Sequence, residues 1–570
     1  MKKIIFTLPV LILIVFLGTG FHFSNGSADI HPTVQINKHA VEKVSDVIRS
    51  KEQSSQFNRI KLFNLNEAGF QKLGLNGKMN KASVMKLNSD VLKEIIKTRP
   101  DNLVFEIPLS NAKSLTVKLF KAELFSPDFK VRAITSSGIE VLNVFPGVHY
   151  RGIISSDYNS VASFSFFNDY IMGVLSDDGG NYNIGLVNKD NINNDYIFFN
   201  EKDLNKKNPF ECKVDDYNPK FRKISENISH PVTDNPERQA VKVYHVADYR
   251  MYLDFGSSTT RVTSYITGAF NSVASLYQNE YLPLQLGNID IYQTTDPYVN
   301  LHDSYSILTA FGGILQNNFT DDLAQLLSTR QENFGGIAWI NTLCQSFNST
   351  DSSGRYSFCG IDTTYIQYPT FSWTITVMAH EMGHNFGSMH THACWWPVTT
   401  TIIGAIDSCY TAEGNCFSMT QANYNGTLMS YCHLNGAINL SNGFGSMPGD
   451  TVRLRYNQAT CFGGTINSSE APTVFALKQN YPNPFNPGTN IQFDIPADSR
   501  VTVKVFDING REIAKLLSGN YYSPGIYSVY FNTLNYSLAS GIYYYKIFAT
   551  DVTTPSKILF SEVKKMVYIK

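Results

Sequence analysis

The stretch HEMGHNFGSMH, His380 to His390, gathers three of the chain's twelve histidines around one glutamate. Upstream, Ile375, Met378, Ala379, Met382 and Phe386 recur at the spacing of an amphipathic helix, so "TITVMAHEMGHNFG" is predicted to be helical. On such a helix His380 and His384, four apart, project from one face and are placed to bind one zinc ion. Glu381 lies one step around, where its carboxylate can reach a metal-activated water without being a ligand, as a general base requires. Gly387 can end the helix in the left-handed conformation and let the chain reverse, which brings His390 to the third position. Three protein ligands leave a fourth position open, the mark of a catalytic rather than a structural zinc site.

Around this centre, 570 residues are too many for a single ordinary core. A hydrophobic fraction of 43% describes globular material, and a net charge of -1 gives no electrostatic reason to expect nucleic acid or an anionic membrane as partner. Lys2 and Lys3 precede an apolar run from Ile4 to Leu17 that is broken by Pro9. At a helical rise that run spans roughly 21 Å, short of a hydrocarbon core, so residues 1–28 read as a secretory signal and no transmembrane segment is expected after its removal. Export makes disulfides the first reading for the cysteines, which crowd around the histidines. Cys344 and Cys359 flank a polar loop and are expected to pair; Cys394, Cys409, Cys416 and Cys432 supply two more bridges of open connectivity. Cys461 is expected to be free or to pair outside this group, and Cys212 stands alone in the first half.

Residues 29–238 read as a largely β region with some helix at its start. Leu115, Val117 and Leu119 alternate with polar residues, and "ASFSFF" and "YIMGVL" are strand-like. The polar passage that follows, with Pro231 and Pro236, is an expected exposed linker and processing region. An α/β domain over 239–465 opens with the strand "VKVYHVADY" and a helix over "SSTTRVTSYITGAFNSVASLYQ", with Ser257 or Ser258 as its cap. A short polar linker, 466–473, leads to 474–570, where Val, Ile, Tyr and Phe runs between turn signals predict an all-β sandwich.

With "GTLMSYC" supplying Met429 for a methionine turn, the segment from Val241 to Cys461 resembles the reprolysin or adamalysin-type metzincin metalloendopeptidases. The resemblance rests on "VMAHEMGHNFGSMH", the cysteines flanking "GTLMSYC", and the opening strand and helix. It implies His380, His384 and His390 as zinc ligands, Glu381 as general base, and protein or peptide substrates paired along an edge strand at Gly335–Ile340. Thr391 stands where reprolysins usually carry Asp. Tyr431, two residues after Met429, resembles the astacin and serralysin tyrosine that binds zinc or stabilises the transition state. His392 and His433 are expected to lie on the surface or behind the ligands, and structural calcium is compatible with the sequence.

"VFPGVHYRGIISSDYNSVASFSFFNDYIMGVLS" resembles the pro-domain of the same family, which implies latency; Cys212 is the candidate thiolate for the open zinc position. "LKQNYPNPFNPGTNIQFDIP", "VKVFDINGREIAKLL", "SGIYYYKI" and the terminal "KKMVYIK" resemble the type A C-terminal sorting domain of the type IX secretion system. That implies a secretion-machinery partner and a secreted or cell-surface destination. The competing reading is an inert zinc-containing surface adhesion protein, against which Glu381 argues, since a structural zinc needs no general base.

Overall fold

The computed structural model describes residues 41–187, 194–205, 212, 214, 240–330, 335–361, 370–398, 402–414, 416–418, 425–434, 437–459, 461, 474–480, 483–497, 499–522, 525–533, 536, 538–551, 554 and 556–570. The expected signal, most of the polar passage before residue 239 and the 466–473 linker lie outside the described residues.

Two sheets enclose the long helix Thr259–Gln278. The first, ten-stranded, runs edge to edge through Asn58–Ile60, Asn102–Ser110, Lys113–Lys121, Val148–Ile154, Asp157–Phe166, Ile171–Asp177, Gly180–Leu186, Asp195–Asn200, Ser83–Leu87 and Phe63–Leu65. The second, seven-stranded, runs through Gly336–Ala338, Tyr356–Gly360, Leu323–Ser328, Val241–Ala247, Leu284–Tyr292, Val131–Thr135 and Gly138–Leu142. Its inner strands are parallel and its two edge strands antiparallel. Every residue of Leu323–Ser328 is buried, as a parallel strand covered on both faces must be.

The long helix starts at Ser258, whose hydroxyl accepts from the Arg261 N–H at 3.3 Å, and from Val262 onwards every residue is buried. A helix that is apolar or small all round is an interior helix; here one side meets the strand Asp157–Phe166 and the other meets Leu284–Tyr292. Gly268 lets it approach the first sheet, because a Cβ there would lie 2.5 Å from the Met172 sulfur. One hydrophobic core runs without a break from Leu62 to Ala459. The N-terminal region is thus largely β, but two of its strands, Val131–Thr135 and Gly138–Leu142, belong to the sheet that carries the histidine helix.

Two cysteine expectations are corrected. Cys344 pairs with Cys461, not Cys359, and Cys461 is therefore neither free nor paired outside the group. Cys344 sits in a left-handed turn with φ of 65° after the edge strand, facing the chain as it leaves the last helix of this region, Ser446–Gln458. Cys359 is committed to the strand Tyr356–Gly360, opposite Gly336, with its thiol buried 3.6 Å from the Gln325 amide. The other four form Cys394–Cys416 and Cys409–Cys432.

The tail is all β. A three-stranded sheet of Ala476–Leu477, Gly488–Ile495 and Gly525–Asn532 accompanies a four-stranded sheet of Glu512–Tyr522, Ser499–Phe506, Gly541–Asp551 and Ile558–Tyr568. Val501, Val503 and Val505 alternate inward against Tyr545, Ile547 and Ala549, giving the tail a core of its own.

Candidate metal centre

The helix Phe371–Asn385 is buried along its whole length. His380 and His384 meet on one face with ring centroids 4.9 Å apart. Between them, a Cβ at Gly383 would lie 2.6 Å from the Met429 sulfur and 2.9 Å from the Phe444 ring, so only glycine lets Met429 seat beneath the helix. At the helix end Gly387 adopts φ of 86°, and the Ser388 N–H reaches back 3.0 Å to the Gly383 carbonyl. Asn385 then locks this end to the edge of the sheet, its amide donating to the carbonyls of Trp339 at 2.9 Å and Tyr356 at 3.0 Å.

The reversal brings His390 to the pair, with its Nε2 3.2 Å from that of His384. His380 Nδ1 donates to the Leu428 carbonyl at 2.6 Å and His384 Nδ1 to the Ser388 carbonyl at 2.8 Å. These bonds fix the tautomer that turns an unprotonated Nε2 inward, the form a metal requires. Burial, reinforced by neighbouring histidine charges, also holds His380 and His384 well below the usual imidazole range and keeps them neutral.

The fourth member is Cys212. Its sulfur lies 3.7 Å from His384 Nε2, and one donor atom from each of Cys212, His380, His384 and His390 falls within 4.8 Å of every other. A tetrahedral zinc with ordinary Zn–N and Zn–S bonds separates its ligands by ~3.4 Å for two nitrogens and ~3.6 Å for nitrogen and sulfur. The donor set therefore fits zinc in both kind and spacing. Without a cation, burial and then the Glu381 charge push the Cys212 thiol up to about 12. A bound divalent ion reverses that balance, because a coordinating thiol is deprotonated outright.

Glu381 is fully buried beside this cluster, its carboxyl pushed up to about 8 by burial, with hydrogen bonding from Cys212 and the charge of His390 partly opposing the rise. Gly336 of the edge strand faces it so closely that a Cβ built there would overlap the carboxylate. Tyr431 packs on His390 and His392 at 4.9 and 4.5 Å, and its hydroxyl donates to the Cys212 carbonyl at 2.7 Å. The helix, the turn after Gly387, the Met429 loop and the Cys212 segment thus converge on one point.

Two acidic residues were not anticipated. Glu413 lies 3.5 Å from His390 Nδ1 and 3.2 Å from His392 Nε2, so His392 is buried behind the cluster rather than on the surface. Burial opposes ionisation of Glu413, but its bonds to both histidines outweigh this and hold the carboxyl well below the usual range. Asp407 accepts a hydrogen bond from the Thr391 hydroxyl, placing a carboxylate beside the position where reprolysins usually carry Asp. Both acids arrive through loops tied by Cys394–Cys416 and Cys409–Cys432, so no spacing near the histidines announces them. His433 packs against Trp373 and Tyr431 at 5.7 and 5.9 Å.

Two regions of the chain match known families. Residues 237–440 match the reprolysin-like metallo-peptidase family M12, and residues 479–561 match a secretion system C-terminal sorting domain. Among solved structures, metalloproteinase-II from Bacteroides fragilis is similar at 11% identity and a TM-score of 0.31, over 56% of this chain and 87% of that one. Catalytically inactive OgpA from Akkermansia muciniphila, solved with an O-glycopeptide substrate, is similar at 11% identity and a TM-score of 0.22, over 57% and 92%. Residues 237–440 thus carry a reprolysin-like metallo-peptidase domain of family M12 and residues 479–561 a secretion system C-terminal sorting domain.

Proposed function

We propose that this metallopeptidase is a secreted, latent zinc endopeptidase in which His380, His384 and His390 hold the metal and Glu381 is the general base. The observation that carries the reading is the convergence of three inward Nε2 atoms and Cys212 beside a buried carboxylate. Zinc bound there supplies Lewis acidity, making water nucleophilic at neutral pH and polarising a peptide carbonyl. Glu381 accepts the proton of the attacking water and passes it to the leaving amine, and its raised affinity for a proton suits that exchange. Gly336–Ala338, at the edge of its sheet, offers unpaired backbone groups to an extended substrate, which would run past Glu381 because Gly336 touches it.

Latency follows from Cys212, whose thiolate would hold the zinc together with the three histidines and so keep water from it. Tyr431, engaged with the Cys212 backbone, becomes available for substrate once that segment moves. Residues 1–28 act as the export signal, and within the pro-region 29–238 it is Cys212 that holds the enzyme inactive. The sorting domain directs passage across the outer membrane through type IX secretion, to the exterior or the cell surface.

Casein cleavage by the zinc-loaded chain, cut between residues 215 and 239, tests the assignment. Glu381→Ala is expected to abolish cleavage with zinc still bound, whereas an active variant removes Glu381 from the chemistry. A zinc-loaded, folded parent with no activity on any protein substrate would favour the adhesion reading. Uncut Cys212→Ser is expected to gain activity; a variant as inert as the uncut parent sinks the thiol as the latency device.

A further inference from the structure

We infer that residues 41–205 are a permanent half of the proteinase fold, so that a cut between residues 215 and 239 yields a two-chain protein instead of releasing an N-terminal domain. The surface involved is separate from the histidine cluster, and the inference stands whether or not the chain cleaves peptides.

Backbone pairing is the first observation. The strand Val131–Thr135 adds in parallel to Leu284–Tyr292, from Val131 opposite Ile289 to Ile134 opposite Tyr292, and Gly138–Leu142 closes the edge. Without them the catalytic sheet would end on an open strand of the residues that now form its interior. Across the same pairing, the Arg132 guanidinium grips the Asp290 carboxylate through two nitrogens at 2.6 and 3.1 Å, and Tyr244 donates to it at 2.6 Å. Asp290 is 3% exposed, so losing Arg132 would leave a buried carboxylate without its cation.

The second observation is a set of buried polar groups that hydrogen-bond across this boundary. Arg151, on Val148–Ile154, donates to Asn271 at 3.1 Å and Gln278 at 2.9 Å on the long helix, and the Asn271 amide returns a bond to the Tyr150 carbonyl at 3.1 Å. Asn183 bonds Ser372 in both directions, at 2.9 and 3.0 Å, at the start of the histidine helix, whose own cap residue Thr370 makes no side-chain cap. Asn181 spans to the Ile438 carbonyl at 2.7 Å. Buried donors and acceptors stripped of partners are costly.

An inhibitory segment needs only to reach the histidine cluster, as Cys212 does. The sheet addition and the polar contacts lie elsewhere and serve the fold. Activation on this view displaces Cys212 while the β layer stays.

The test is to insert a specific protease site between residues 215 and 239 of the full chain, cut to completion, and follow the pieces by size-exclusion chromatography. The expected result is one species with the elution volume of the uncut chain, separating only in denaturant. Arg132→Ala and Asn271→Ala should lower the urea concentration at which the cut pieces part; Asn183→Ala, which touches only the helix start, serves if either fails to accumulate. Pieces that elute apart in native buffer, whether the C-terminal one is folded or aggregated, overturn the inference. So does co-elution equally resistant to urea in all three variants, because the association would then not run through this surface.

Discussion

Glu413 shows how far the chemistry of a residue depends on chain it cannot see. Its carboxylate serves His390 and His392 together, and a carboxylate behind a metal-binding imidazole raises the basicity of that ligand and fixes its ring. Glu413→Gln is therefore expected to weaken zinc binding by about 10- to 100-fold, read by competition with a chromophoric chelator, with Glu413→Asp recovering part of the loss. Unchanged affinity would mean that the surrounding packing holds His390 by itself. Gly336→Ala is expected to do the reverse, keeping zinc but losing proteolysis, because the new methyl displaces the Glu381 carboxylate. The closeness of His380, His384 and His390 was legible because helical periodicity and one reversing glycine bring local residues together, whereas Met429 was named only through the family resemblance. Thr391 was legible only as a missing aspartate, since its partner Asp407 depends on the path of a disulfide-tied loop.

At the scale of elements, the strong signals were those that one element carries alone. The long helix starts at Ser258, one of its two expected caps, and the opening strand Val241–Ala247 lies within the stretch read as one. The start of the histidine helix was different, because Asn183, from another sheet, bonds the N–H that a local cap would normally satisfy. Asn183→Ala should lower stability to urea by about 1 kcal/mol, the ordinary cost of losing a cap. Cys344–Cys461 was misread for a related reason: nearness in sequence suggested Cys359, while the fold brings in residue 461 across a separation of 117. Asp248 gives this scale its pH dependence. It caps the helix Tyr249–Asp254 through the Met251 N–H at 2.8 Å, and burial raises its carboxyl to about 7, with hydrogen bonds from Ser328 and Met251 and the charge of Arg330 opposing and Asp296 adding to the rise. Between the ordinary carboxylate range and about 7 the folded chain holds a proton that the unfolded chain has lost, so its stability falls as pH rises through this window. Asp248→Asn removes that proton while keeping an oxygen for the cap. The parent should accordingly lose melting temperature relative to the variant from pH 5 to pH 8, and parallel curves would show Asp248 to be ionised throughout.

For the whole molecule, the deciding fact is that there are two large cores: one from Leu62 to Ala459 that contains the histidine cluster, and one in the tail from Leu477 to Tyr568. The tail was legible because short alternating strands and turn signals suffice for a sandwich; the union of the first two regions was not, because strand exchange between sheets leaves no periodic trace. Separate cores predict separate responses to metal removal. Zinc that binds only the folded state stabilises by about 4 kcal/mol at a thousandfold excess over Kd, and that stabilisation belongs to the core its ligands occupy. Calorimetry of the full chain is expected to resolve two transitions, with a chelator lowering the larger one and leaving the smaller in place. A chain ending at Cys461 should keep the larger transition, with the same chelator shift, and lose the smaller. A single transition that a chelator moves as a whole would instead make the sorting domain one cooperative unit with the proteinase fold.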